Sequence, residues 1–160
     1  MATELKPYQK LQDFWRRTKS DITYRPTSED AVSAIEHEYS IYLPAQFREY
    51  LLKSCPFGSG LDDSYTDWWS LERISSVAEE YKGWEKRLKN NDVLEYPHSY
   101  LFFADYSIWC WAWAICCKQG PNYGRVVQID KIDDHFVAND FSQFVNEYIE
   151  TDAPWFDEQV

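Results

Sequence analysis

LFFADYSIWCWAWAICC, residues 101–117, is the stretch that decides the architecture. Its first five residues and the run from Ile108 to Cys117 are rich in aromatic and branched side chains that suit strands, and Asp105-Tyr106-Ser107 between them is a turn signal. A connection this short joins its two strands antiparallel. Two further β-prone runs follow, GRVVQI (124–129) and HFVA (135–138), set off by Gln119-Gly120-Pro121-Asn122 and by Asp133-Asp134. The expectation is a mainly antiparallel sheet built from hairpins. In the second run, alternation puts Trp109, Trp111 and Trp113 on one face and Cys110, Ala112, Ala114 and Cys116 on the other. The tryptophan row either fills a thick core or lies partly open as a binding platform. On the small face, Cys110 and Cys116 are expected to be buried and ~20 Å apart at ~3.3 Å per residue, too far to pair.

Helical signals flank the sheet. Pro7 suits a first helical position, and Tyr8, Leu11, Phe14 and Trp15 share a face, giving a helix over about 7–18. Thr27 or Ser28 caps a second helix running along Val32, Ile35 and Tyr39, and Pro44 opens a third with Phe47, Tyr50 and Leu51 as its stripe. WWSL (68–71) reads as a short strand. Ser70 then caps a long helix with a stripe of Leu71, Ile74, Ala78, Tyr81, Trp84 and Leu88. After the strands, Asp140 caps a closing helix with Gln143 at its third position, anchored on the sheet by Phe141, Phe144 and Tyr148. The fold class expected is α+β, with residues 1–160 forming one domain; no repeat or long linker interrupts it.

The totals narrow the functions. With 44% hydrophobic residues and 18% aromatics, the chain has ample material for a core. There are 27 acidic and 16 basic residues, a formal charge of −11, and residues 130–160 hold nine of the acids against one base. Such a field repels phosphate backbones and anionic lipid, so neither nucleic acid nor membrane is an expected partner, whereas a basic protein is. The opening MATELKPYQKLQDFW has no apolar core segment, and no stretch approaches the ~20 apolar residues of a membrane span, so a cytoplasmic chain with reduced thiols is expected.

No catalytic, metal or cofactor motif emerges. Gly58-Ser59-Gly60 lacks the Lys-Ser/Thr of a phosphate-binding loop and reads as a turn. Cys55, Cys110, Cys116 and Cys117 form no CxxC pair, and His37, His98 and His135 stand apart from one another. Asp62-Asp63 and Asp133-Asp134 suit turns, a solvated surface or contact with a cationic partner; as opposed carboxylates they are also the minimum for a small hydrolase.

Four segments taken in order resemble a known family: AVSAIEHEYSIYLPAQFREYLLKS (31–54), with its helix, Leu-Pro step and second helix; WWSLERI (68–74); YLFFADY (100–106); and FVANDFSQFVNEYI (136–149). Together they are similar to the SUKH superfamily, the Smi/Knr-type domain, over about residues 28–150. The chain departs from that pattern in having SCPFGSG where a glycine often follows the third helix, and in a second sheet strand rich in Trp and Cys. The resemblance implies an α+β domain with helices flanking an antiparallel sheet, acting as a non-enzymatic immunity protein that occupies and inhibits a cognate bacterial toxin, often a nuclease. A regulatory or scaffold module of the same fold, as in fungi, is the alternative. For the partner-binding surface the candidates are Asp62, Asp63 and Tyr65 in one loop and Asp105, Tyr106 and Trp109 around a hairpin turn, because both combine carboxylates for steering with rings for a desolvated anchor.

Overall fold

The computed structural model describes residues 4–130 and 133–151; the acid-rich stretch beyond Thr151 lies outside them. The first half holds α1 (Pro7–Arg17), a two-residue strand β1 (Tyr24–Arg25), α2 (Glu29–Tyr39), α3 (Ala45–Ser54), β2 (Cys55–Pro56), β3 (Thr66–Trp68), β4 (Ser75–Ser76), α4 (Val77–Glu80) and α5 (Asn91–Glu95). Then come β5 (Tyr100–Tyr106), β6 (Trp111–Cys116), β7 (Val126–Asp130), β8 (Asp134–Ala138) and α6 (Phe141–Thr151). The fold is α+β.

Every strand pairing is antiparallel, and β5, β6, β7 and β8 lie side by side in chain order. The outer edge of β5 is shared end to end, by β3 along Ala104–Tyr106 and by β4 at Leu101 and Phe102. Register then assigns the two faces. Phe103 and Trp113 meet Phe144 of α6 at 5.3 and 5.4 Å between ring centroids, and Phe14 of α1 meets Tyr148 at 5.7 Å, so α1, α3 and α6 cover this face. Phe102 points to the other face, where it touches Trp69, Tyr81 and Trp109.

Local chemistry sets the helix ends. Ser28 Oγ accepts from the Ala31 amide at 3.1 Å, and Asp140 Oδ1 accepts from the Gln143 amide at 2.8 Å while Gln143 reaches back to the Asn139 amide at 2.7 Å. Phe141, Phe144 and Tyr148 are all buried on the sheet, as the spacing predicts.

Three expectations need correction. The long helix from Ser70 does not form: Ser75 and Ser76 are extended and pair with β5, Ser76 then caps the four-residue α4, and Gly83 turns the chain at φ 85°. Two consecutive serines with weak helix propensity give way to sheet pairing, and the helical spacing is coincidental because Trp84, in its stripe, is exposed. The second strand of the hairpin begins at Trp111, not Ile108. Ser107, Ile108 and Trp109 all adopt left-handed φ, 48°, 54° and 63°, so alternation does not run through them. The tryptophan row is therefore broken. Trp113 is core under α6, Trp111 is half-buried and stacks on Tyr106 at 4.7 Å, and Trp109 crosses to the opposite face.

The same turn brings Cys110 to the surface, contrary to its expected burial, while Cys55, Cys116 and Cys117 are buried; all four are free thiols. Burial pushes the Cys55 thiol up to about 12 and raises Cys116 and Cys117 as well. Alkylating the native protein with iodoacetamide should label Cys110 alone, with the other three reacting only after denaturation. Rapid labelling of Cys116 in the native state would contradict the strand register.

Candidate functional site

Two buried aspartates build two neighbouring loops. Asp62 is 5% exposed and sits at the start of the turn into β3. Its Oδ1 accepts from the backbone amides of Ser64 at 2.8 Å and Thr66 at 3.0 Å, and its Oδ2 accepts from Trp68 Nε1 at 3.0 Å and from the Tyr148 hydroxyl of α6. The loop is thus fastened to the helix layer behind it. Asp105, 2% exposed at the end of β5, does the same for the hairpin turn: it accepts from Trp69 Nε1 at 2.7 Å, from the Trp109 amide at 3.1 Å and from Arg73 Nη2 at 3.3 Å. The Ser107 amide donates to the Tyr65 carbonyl at 2.9 Å and joins the two loops.

Asp62 and Asp105, expected as charges for a partner, are buried here with both carboxylates bonded to internal donors. Burial is the largest influence on Asp62 and raises its pKa against the pull of its four donors. A raised folded pKa means that the folded state holds the proton better than the unfolded one, so this contribution to stability declines as pH rises through that range. Asp62→Asn removes the titration and, whichever way the amide is turned, leaves donors facing its nitrogen, either Trp68 Nε1 or the Ser64 and Thr66 backbone amides, at about 1 to 3 kcal/mol. That loss should grow as the pH is lowered from neutral toward the ordinary carboxylate pKa of about 4, as read by urea unfolding. A loss that shrinks over the same range would show the opposite shift.

Between the loops lies a cleft of about 470 Å³, with Gly60, Leu61 and Tyr65 on one side, Ile108 and Trp109 on the other, and Arg73 between. Arg73 lies 4.3 Å from the centre of the Trp69 ring and also pairs with Asp67 at 2.7 Å. Gly60 has no room for a side chain, since a Cβ there would lie 1.9 Å from the Trp68 carbonyl oxygen, so the loop can close on β3 only with glycine. The rim is apolar and open: Ile108 is 95% exposed, Tyr65 67% and Leu61 50%. Both Tyr65, at φ 68°, and Ile108 hold a left-handed backbone that a side chain disfavours, most of all a β-branched one.

A family model described as SMI1 / KNR4 family (SUKH-1) matches residues 26–147, most of the chain. The chain belongs to this family. Its matched span starts two residues before and ends three residues before the 28–150 read from the sequence motifs, and it includes both loops and the cleft. No curated protein shows a significant match. SUKH-1 membership is consistent with a toxin-immunity role and with binding to a protein partner. Among the described residues no helix is long and apolar enough to cross a membrane, and no three metal-binding side chains converge.

Of the sequence candidates in this SUKH-1 chain, Asp63 is exposed beside the cleft, Tyr65 and Trp109 line it, and Asp105 underlies it. Tyr106 is turned away from Trp109, to the sheet face of Trp113, where it stacks on Trp111. Leu61, Ile108 and Arg73 were not among those candidates. Ile108 reads as an ordinary strand residue until the left-handed turn is known, and Arg73 reads as part of a helix that does not form.

Proposed function

We propose that the protein is a non-catalytic immunity protein that binds and neutralises a cognate bacterial toxin in the cytoplasm, and that the Leu61–Tyr65 loop with the Ser107–Trp109 turn is the face that meets the toxin. The observation that carries this reading is an exposed apolar trio, Leu61, Tyr65 and Ile108, held on two strained loops that buried aspartates lock in place. Apolar rings and branched chains on a rigid frame lose little entropy on binding and make good anchors. A net charge of −11 supports a partner with a basic surface, and a nuclease domain is the toxin class with most reason to carry one.

Steering then arises from the field of the whole chain, since Arg73 already pairs with Asp67 and Asp105 in the cleft. Association with the cognate toxin should slow markedly as salt rises past the range where the screening length is about 8 to 10 Å. Asp63→Asn should slow it slightly with the fold intact. Failure to protect cells producing that toxin would sink the immunity reading.

A further inference from the structure

On the sheet face that carries Phe102, a second hollow of about 270 Å³ opens beside the cleft, with Trp109 lining both. Trp84, in the segment after α4, is 54% exposed and lines it too, along with Tyr81 and Ile129. Glu80 and Asp130 bring carboxylates to it and Arg87 one guanidinium. The guanidinium carbon of Arg87 lies 4.6 Å from the centre of the Trp84 ring, so this indole already carries one flat cation of the chain's own, and more than half of the residue's surface is still exposed. Glu80 is exposed and its Oε1 is held by the Ser75 hydroxyl at 2.6 Å. Burial, above all, pushes the Tyr81 phenol up to about 12, and the Asp134, Asp130 and Glu80 carboxylates add to that against the opposing pull of Arg87.

We propose that this hollow receives one arginine side chain of the protein partner, its guanidinium stacked on the Trp84 and Trp109 indoles and paired with Glu80. Arginine fits better than lysine because a planar guanidinium can stack on a ring and bond a carboxylate at once, while an acidic or neutral side chain gains nothing from the carboxylates. The inference rests on the binding role proposed above, and it specifies what lies next to the apolar anchor. With Trp109 common to cleft and hollow, the matching toxin surface presents an apolar group beside an arginine.

The test needs no toxin. Indole N–H resonances are followed by NMR while Nα-acetyl-arginine amide is titrated at constant ionic strength, with Nα-acetyl-norleucine amide as the uncharged control. The Trp84 and Trp109 signals should move saturably with the arginine probe alone, while buried Trp113 stays still. Glu80→Gln should weaken the apparent affinity roughly three- to fivefold, and Trp84→Leu should remove the response, with the remaining indole signals reporting an intact fold. Still signals, equal movement with norleucine, or unchanged affinity in Glu80→Gln would each overturn the proposal. A protein that protects cells but ignores the probe would lose this inference alone; one that binds the probe but fails to protect would lose only the immunity reading.

Discussion

Phe144→Ala should cost about 3 to 5 kcal/mol, a large share of the ~5 to 15 kcal/mol that holds a domain together. The side chain is fully buried in α6. It touches Trp68, Phe103 and Trp113 edge-on at 6.3, 5.3 and 5.4 Å and stacks beside Phe141 and Tyr148 at 6.3 and 6.1 Å. Five large rings around one site cannot collapse into the space a phenyl leaves, so the cavity persists and its cost adds to the lost transfer energy. The damage should reach the binding face as well, because the neighbouring Tyr148 hydroxyl is a donor to Asp62 and so helps to hold the loop. Urea unfolding and a thermal scan read the first effect. A midpoint equal to that of the wild type would place Phe144 outside the core.

The second large effect has opposite signs for stability and for function. Ile108 is 95% exposed at φ 54°, so it contributes almost no burial and carries a backbone that a β-branched residue disfavours by about 1 to 2 kcal/mol. Asn tolerates that conformation. Ile108→Asn should therefore leave the protein as stable as the wild type or about 1 kcal/mol more so, while removal of a central apolar anchor should weaken toxin binding by about 2 kcal/mol or more, at least some thirtyfold. Tyr65→Ser on the facing loop should act in the same direction. A variant that folds better and binds worse separates a functional surface from a structural one, because residues kept for packing lose both together. Unchanged binding in Ile108→Asn would move the interface elsewhere.

How far the sequence announces this molecule depends on what kind of signal each element carries. The hairpin strands, the capped helices and the anchoring of α6 are legible because period, cap and turn chemistry agree locally: Ser28, Asp140 and the Phe141, Phe144, Tyr148 stripe all act where the sequence places them. The segment after Trp69 is not legible, since Ser75 and Ser76 take their conformation from pairing with Leu101 and Phe102, residues some 25 positions away. The candidate site is legible as two loops and not as a set of side chains. Asp62 and Asp105 drew attention as charges, yet they organise the loops from within. The apolar group that stands furthest into solvent, Ile108, looks like any strand residue because nothing in IWCWAW marks three left-handed residues before the strand begins. What fixes that turn is tertiary: Asp105 holds the Trp109 amide, the Tyr65 carbonyl accepts from Ser107, and the Tyr106 carbonyl accepts from the Cys110 amide at 2.9 Å.

The central claim is that the toxin sits across these two loops. Amide hydrogen exchange on the purified complex with the cognate toxin, compared with the free protein, tests it directly. Slowed exchange should concentrate in residues 58–65 and 106–110, and the exposed surfaces of α2 and α3 should exchange as they do in the free chain. Protection confined to those helices, with both loops unchanged, would contradict the account.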